Sequence, residues 1–311
     1  MNITSVVIIY NSALKDSDTL KSLLKCKLEN IKLNICVWNN GPSLLQENDT
    51  SDFLSRCKEN GFNVKIYQDI RNLSLSKIYN FFINNEKFDF ITILDQDSHL
   101  PIDYYTKIAT HRGADIVTPK IIAEKNGISV QTDPHLYGDI NLMIDEGKVG
   151  MKIDSVMSGL ALSKQGIDKI MAFRGYVFEE KLAFYGIDSD LFRIINIMTE
   201  NNKPLDIYCA NSIGHSFAMF SPENKKNSFR LMEIFYLKSF IRNEYQKKSK
   251  ASTIYIYLRD FLRGKIDFHR MKNLLIFTIN NIHPRSKIEI DKKTALTHEI
   301  QNKNSDDIIN I

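Results

Sequence analysis

Residues 88–98 read Phe-Asp-Phe-Ile-Thr-Ile-Leu-Asp-Gln-Asp-Ser. The apolar run from Phe90 to Leu94 stops abruptly at two carboxylates, Asp95 and Asp97. A short apolar run bounded by polar residues is the mark of a buried strand. Residues 88–94 are therefore expected as a central strand of a parallel sheet. In open α/β sheets ligands sit beyond the carboxyl ends of the strands, which is where Asp95 and Asp97 fall. Carboxylates at i and i+2 can share a divalent cation and a ribose, and Mg²⁺ commonly takes one or two carboxylates plus substrate phosphates. The same residues also fit a polar strand-to-helix turn in which Ser98 or an Asp caps a helix after Pro101.

Working outward, strand and helix alternate. Residues 4–10 are a β-branched, apolar run closed by Asn11. A helix capped by Asp16 or Ser17 follows, with Leu20, Leu23, Leu24 and Leu28 at helical spacing. Residues 34–38 form a second strand, ending in the turn Asn39-Asn40-Gly41-Pro42. A helix over 53–60, a strand over 64–67, a helix over 74–84, the central strand, a helix over 103–111 and a strand over 115–122 complete the series. This order means βαβ units and a parallel sheet covered on both faces. The first βα turn lacks G-x-G-x-x-G, and neither a P-loop nor a G-x-S-x-G elbow occurs.

From 128 to 153 glycines punctuate short β-like pieces, read as an irregular hairpin region over the sheet. At Ser158-Gly159 the backbone could approach a ligand closely, or simply bend. Asp188 and Asp190 open a helix continued by Leu191, Ile194, Ile195 and Met198. Either carboxylate could serve the helix dipole as a cap, with Asp188 at the N-cap. Either could instead be a general base for an acceptor hydroxyl. A strand over 204–209 leads to Gly214 and His215, a metal or phosphate contact or a structural histidine.

Composition bounds the rest. The 311 residues are 43% hydrophobic and 25% charged, ordinary for a globular chain. No apolar run approaches the roughly 20 residues of a membrane span. The start of the chain shows no basic signal region, so the expectation is cytoplasmic. Cys26, Cys36, Cys57 and Cys209 show no C-x-x-C spacing and are expected as reduced, buried thiols. Charge is uneven. Residues 225–272 hold 13 Lys and Arg against 4 Asp and Glu, a net of +9, which leaves −5 elsewhere. This basic stretch carries Phe229, Met232, Phe235, Tyr236 and Phe240 on one helix, then Lys247, Lys248, Lys250, Arg259, Arg263 and Arg270. Such helices can lie on anionic membrane surfaces, or pack on the domain with their cations in water.

The pieces also carry a resemblance. Val6-Val7-Ile8-Ile9-Tyr10-Asn11 is similar to an opening strand and Tyr-Asn turn, and Val37-Trp38-Asn39-Asn40-Gly41-Pro42 to an Asp-Asn-Gly-Ser turn. Asn72-Leu73-Ser74 through Asn80 looks like an Asn-x-Gly…Asn helix start. Asp95-Gln96-Asp97-Ser98 matches a D-x-D, and Ser158-Gly159 an acceptor-side Ser-Gly. Residues 178–182 through Asp188-Ser189-Asp190 are similar to a Phe-Asp-Glu…Asp-x-Glu segment. Gly214-His215-Ser216 looks like a late His, and Tyr236 with Arg242-Asn243 like a closing Tyr…Arg-Asn piece. In this order, over residues 4–245, the chain resembles family 2 of the glycosyltransferases, and within it the rhamnosyltransferase-like members that build bacterial surface polysaccharides.

The resemblance implies a GT-A fold: a mostly parallel central sheet flanked by helices, with a Rossmann-like nucleotide-binding half and a C-terminal helical extension. It places a catalytic domain at 1–222, divided into a nucleotide-sugar half at 1–122 and an acceptor half at 123–222. A basic amphipathic extension at 223–284 and a polar, loose tail at 285–311 follow. It implies inverting transfer of a sugar, rhamnose or a hexose such as galactose or glucose, from a nucleotide-diphosphate donor. The implied acceptor is a hydroxyl of a lipid-linked oligosaccharide in O-antigen or capsule synthesis, met at the cytoplasmic face of the inner membrane. Carried over by position, Tyr10, Asn11, Asn39 and Asp95 bind the nucleotide. Asp97, Asp95 and His215 hold Mg²⁺ or Mn²⁺. Asp188 is the base with Asp190 second, and Ser158 and Gly159 meet the acceptor. The chain departs from the pattern at Asn39 (usually Asp), Ser74 (usually Gly) and Tyr185 (an additional Asp in many relatives). Those departures suit an alternative, a catalytically inactive GT-A-like carbohydrate- or nucleotide-binding protein. An acidic front and no recognised nucleic-acid motif argue against a nucleic-acid binder.

Overall fold

The computed structural model describes residues 1–125, 128–215 and 228–301. Gly127, Ser216, residues 223–227 and residues 302–311 lie outside the described residues, as does the side chain of His215.

The N-terminal alternation gives β1 (Asn2–Ile9), α1 (Asp18–Leu23), β2 (Lys32–Asn39), α2 (Glu47–Glu59), β3 (Asn63–Gln68), α3 (Leu75–Asn85) and β4 (Phe90–Leu94). β5 (Ser98–His99), α4 (Tyr104–Thr110) and β6 (Ile116–Lys125) follow. The irregular region resolves into β7 (Ile128–Asp133), β8 (His135–Leu136), β9 (Asp139–Met143), β10 (Gly147–Val149) and β11 (Ile153–Asp154). Then come β12 (Leu160–Ser163), α5 (Lys164–Arg174), α6 (Ile187–Glu200) and β13 (Ile207–His215). The basic stretch forms α7 (Ser228–Phe240), a π-helical turn (Ile241–Tyr245), α8 (Lys250–Leu262) and α9 (Phe268–Asn280). α10 (Lys292–Ala295) and β14 (Leu296–Ile300) close the described chain.

One sheet runs through the molecule in the order β10-β13-β6-β12-β4-β1-β2-β3-β14, with β5 beside β13 and β7 beside β6. The strands β4-β1-β2-β3 pair in parallel. β12 runs antiparallel to both β4 and β6, because β-pieces rather than a crossover helix bring the chain back to it. β11, β8 and β9 form a small separate sheet. The parallel strands are buried on both faces, which is why they read as unbroken apolar runs. On one face Trp38 stacks on Tyr67 at 5.7 Å, and Phe81 and Phe82 meet them edge-on. All four cysteines are buried free thiols, and burial pushes Cys57 up to about 12.

β2 and β4 flank β1 on opposite sides. The chain order reverses there, and at such a switch point a crevice opens beyond the carboxyl ends of the strands. Tyr10 and Asn11 follow β1, and Asp95 to Asp97 follow β4, so the topology brings these two stretches to one mouth.

The expectation of a loose tail is corrected over 285–301, the part of it among the described residues. β14 pairs antiparallel with β3, with Glu299 opposite Lys65 and Ile300 opposite Val64. Lys77 Nζ donates to the carbonyls of Ser286 (3.1 Å) and Ile288 (3.0 Å) and pairs with Glu289. The stretch is polar because its edge strand half-buries only alternate side chains, not because it lacks partners.

The turn after β2 carries the tightest glycine near the mouth. Gly41 has φ +95°, and a Cβ there would lie 2.5 Å from the Ile70 carbonyl oxygen. Gly41→Ala is therefore expected to cost roughly 2–4 kcal/mol, strain plus overlap. Gly61→Ala (φ +73°, open space around the Cβ) is expected to cost only about 1 kcal/mol of strain. Urea midpoints of the two variants check this, and equal losses would contradict the steric account.

Candidate active site at the mouth of the sheet

The D-x-D loop is held by its backbone. The Thr19 hydroxyl donates to the Asp95 carbonyl and accepts from the Ser98 N–H (2.8 Å). Ser17 Oγ donates to the Gln96 carbonyl at 2.8 Å. Gln96 Oε1 accepts from the Tyr10 N–H at 2.8 Å, which ties the end of β4 to the end of β1. With the loop clamped in this way, Asp95 and Asp97 sit half-buried at the rim.

The adjoining turn differs from its expected role. Asn39 is 1% exposed. Its Oδ1 accepts from the Gly41 N–H (3.0 Å), and its Nδ2 donates to the Ser43 carbonyl (2.8 Å) and to Gln68 Oε1 (3.1 Å). Gln68 Oε1 also accepts from the Leu45 N–H, which fixes that amide with its oxygen toward Asn39. An Asp at this position would set carboxylate oxygens against two acceptors, which accounts for Asn here. Asn39 thus builds the turn instead of presenting its side chain to a ligand. Asn11 donates its N–H to the Gly41 carbonyl (2.7 Å), and Tyr10, 44% exposed, is the open aromatic of the rim.

The other wall is pinned to α3. Leu75 N–H donates to the Ala183 carbonyl (2.9 Å), and Asn80 exchanges two hydrogen bonds with the Phe178 backbone. The N-cap of α6 is Gly186 (φ +86°), not Asp188 as expected. A left-handed residue is needed where the chain turns into the helix, and a Cβ there would meet Leu237 at 2.3 Å. Asp188 lies one turn-position inside, half-buried, with Oδ1 accepting from the Ser189 N–H at 2.8 Å. Burial, then the Asp154 and Asp133 carboxylates, push its pKa up to about 6. Those two carboxylates come from β11 and the end of β7.

Asp190, the second choice for base, is spent elsewhere. It is buried, paired with Arg174 Nη1 at 2.7 Å, and accepts the Tyr245 hydroxyl. The π-helical turn after α7 aims Tyr245 at it. Arg242 donates to Ser252 Oγ and Asn243 Oδ1 accepts from the Thr253 hydroxyl, and the two so hold the start of α8.

Tyr79 is the residue that sequence reading missed. Its position in α3 reads as core, and it is buried. Burial and then the charges of Asp95 and Asp188 raise its hydroxyl well above the ordinary tyrosine value. One phenol therefore lies within electrostatic reach of both the D-x-D and the candidate base. Asp133 and Asp154 were missed as well, since lone acids in short β-pieces carry no signature.

Ser158 and Gly159, expected on the acceptor side, are corrected to an internal position. Ser158 Oγ shares a 2.6 Å hydrogen bond with Ser98 Oγ, and Gly159 bonds to the Ile93 carbonyl and to the Tyr104 hydroxyl. A Cβ on Gly159 would strike Ile213 at 2.6 Å and Pro119 at 2.8 Å. They lock β12 to the D-x-D strand. His215 lies opposite Ser98 in the β13–β5 pairing, which places its backbone beside the D-x-D loop.

Among the described residues no three His, Cys, Asp or Glu side chains converge as a ready cage for a metal. The donor set still suits Mg²⁺ or Mn²⁺, because two hard carboxylates at the rim are enough when waters and phosphates complete the shell.

No known protein family and no curated protein matches the sequence. Solved structures do match in three dimensions. Residues 1–349 of S. aureus TarS are 12% identical, with a TM-score of 0.50, over 90% of this chain and 71% of that one. The same segment of TarS in complex with UDP-GlcNAc is 13% identical, with a TM-score of 0.50, over 92% and 83%. At such identities the likeness is one of fold, and with the mixed sheet, its flanking helices and the mouth at the β1–β4 switch point, this chain has the architecture of the GT-A glycosyltransferases.

Proposed function

We propose that the chain is an inverting glycosyltransferase that takes a sugar from a nucleotide diphosphate. The observation that carries this reading is the pairing of a clamped D-x-D at the rim with Asp188 at pKa about 6, both acting on Tyr79. A base poised near neutral pH is suited to taking a proton from an acceptor hydroxyl as it attacks. Inversion needs that one base and no nucleophilic carboxylate. Tyr10 offers an exposed ring on which a nucleobase would stack, with the Asn39 turn beside it. Asp97, Asp95 and His215 would hold Mg²⁺ or Mn²⁺, which supplies positive charge to the diphosphate as it leaves. Tyr79 stays protonated near Asp95 and Asp188, because burial and their charges disfavour its phenolate. The sugar is read as rhamnose or a hexose, and the acceptor as a lipid-linked saccharide of surface polysaccharide synthesis. Those finer terms rest on the sequence resemblance.

The test is thermal unfolding of the full chain with UDP, dTDP and GDP, each with and without Mn²⁺. UDP comes first because a structure of the same fold holds UDP-GlcNAc. A nucleotide at a hundredfold excess over Kd is expected to stabilise the fold by about 2.7 kcal/mol. A metal-dependent rise with one nucleotide is the expected result. A folded sample that responds to none of them would overturn the donor site at Asp95 and Asp97.

A further inference from the structure

α8 and α9 form an antiparallel hairpin. Lys250 Nζ donates to the Ile279 carbonyl at one end, and Phe261 meets Phe268 at the other. Thr253 and Tyr257 of α8 and Met271, Leu274 and Phe277 of α9 face inward. The hairpin is fastened to the rest by Tyr236 against Phe277 (4.9 Å) and by Glu244 against Asn281.

Its outward side is not what packing requires. On α8, Tyr255, Leu258 and Leu262 recur at helical spacing and are exposed, Leu262 at 83% and Tyr255 at 65%. On α9, Phe268 (63%), Ile276 and Ile279 are exposed in the same way. Six large apolar side chains on two adjoining helices exceed the scattered exposure normal for a protein surface. Cations accompany them: Arg263, Lys265 and Lys272 are exposed. The two acids of the hairpin are already used, Asp260 by Arg259 (2.9 Å) and Asp267 by Arg270 (3.3 Å). The face is therefore apolar with positive charge that no acid of the hairpin balances.

We propose that this outward face of α8 and α9 docks the protein on an anionic lipid surface, with Leu262 and Phe268 entering the headgroup boundary and Arg263, Lys265 and Lys272 meeting lipid phosphates. An apolar strip flanked by cations is the pattern of a helix lying in a membrane interface. A second copy of the chain is the weaker match, since like cations would oppose one another with no acids between them. No described helix is long and apolar enough to cross a membrane, so the contact is with the surface. The proposal does not depend on the transferase reading.

The full chain is mixed with vesicles of phosphatidylcholine alone or with added phosphatidylglycerol, and the bound fraction is measured by sedimentation. Binding is expected on the anionic vesicles only, falling with salt. Leu258→Asn with Leu262→Asn, and separately Arg263→Glu with Lys265→Glu, are each expected to weaken it roughly tenfold or more. The sites are exposed, so unchanged unfolding midpoints show that the variants fold. Absence of binding to anionic vesicles, or equal binding by both variants, would overturn the proposal. A concentration-dependent dimer that the Leu258 and Leu262 changes abolish would overturn it too, assigning the face to a second copy.

Discussion

Asp188→Asn is expected to lower kcat about 10²- to 10⁴-fold, the usual worth of a positioned general base, while the thermal response to nucleotide stays as in the wild type. The pH profile sharpens the claim. The base works ionised, so kcat/KM in the wild type should rise tenfold per pH unit below about 6 and level off above it. The residual rate of Asp188→Asn should lack that step. Stability moves the other way. A carboxyl whose folded pKa is raised binds its proton more tightly folded than unfolded. Stability is then lost as pH climbs from the ordinary carboxylate range through about 6, and above 6 the folded state carries the full cost of a desolvated charge. Asn carries no such charge, so at pH 8 the variant should be more stable, by an amount of order 1–3 kcal/mol. Lower turnover with higher stability is the signature of a catalytic group. A variant that keeps near-normal turnover, or loses both together, would remove Asp188 from the base role.

Asp97→Ala is expected to reduce turnover by about 10³-fold or more, in line with losing a group that stabilises transition-state charge. It should also abolish the Mn²⁺ component of the nucleotide-induced stabilisation. The side chain sits at the rim, and the loop around it is held by Thr19, Ser17 and Gln96 through backbone groups that the substitution leaves in place. The fold should therefore survive, and the urea midpoint should move by less than about 1 kcal/mol. Titration with Mn²⁺ reads the outcome. Wild-type turnover at ordinary Mn²⁺ would show that Asp97 holds no metal.

How much of this was legible beforehand follows from the distances over which each feature is set. β1 to β4 could be read because a strand buried on both faces writes an apolar run into the sequence. The D-x-D followed, since only the strand before it had to be recognised. β14 could not be read: it alternates half-buried and exposed residues, and its partner β3 lies some 230 residues earlier. The resemblance put Asp188 before Asp190, but the physical reason for that order was hidden. Two residues apart on a helix, they face different ways, and what fixes Asp190 inward is Arg174 and Tyr245 from other elements. Asn39 looked like a ligand contact because its turn resembles one, but Gln68 and Ser43 claim its amide. Tyr79 gave no signal because a buried aromatic in a helix looks the same whether or not carboxylates stand near its hydroxyl.

The return of the chain to β3 has a mechanical consequence. The hairpin of α8 and α9 is bound to the rest of the molecule on both sides, through Tyr245 to Asp190 before α8 and through β14 after α9. A segment fixed at two points cannot swing as an arm does. Whatever surface the hairpin rests on, the mouth of the sheet is then presented to it at one set tilt and height. On the proposed function, an acceptor hydroxyl would have to rise from that surface by a fixed amount to reach Asp188, and the last strand would act as a gauge of that height.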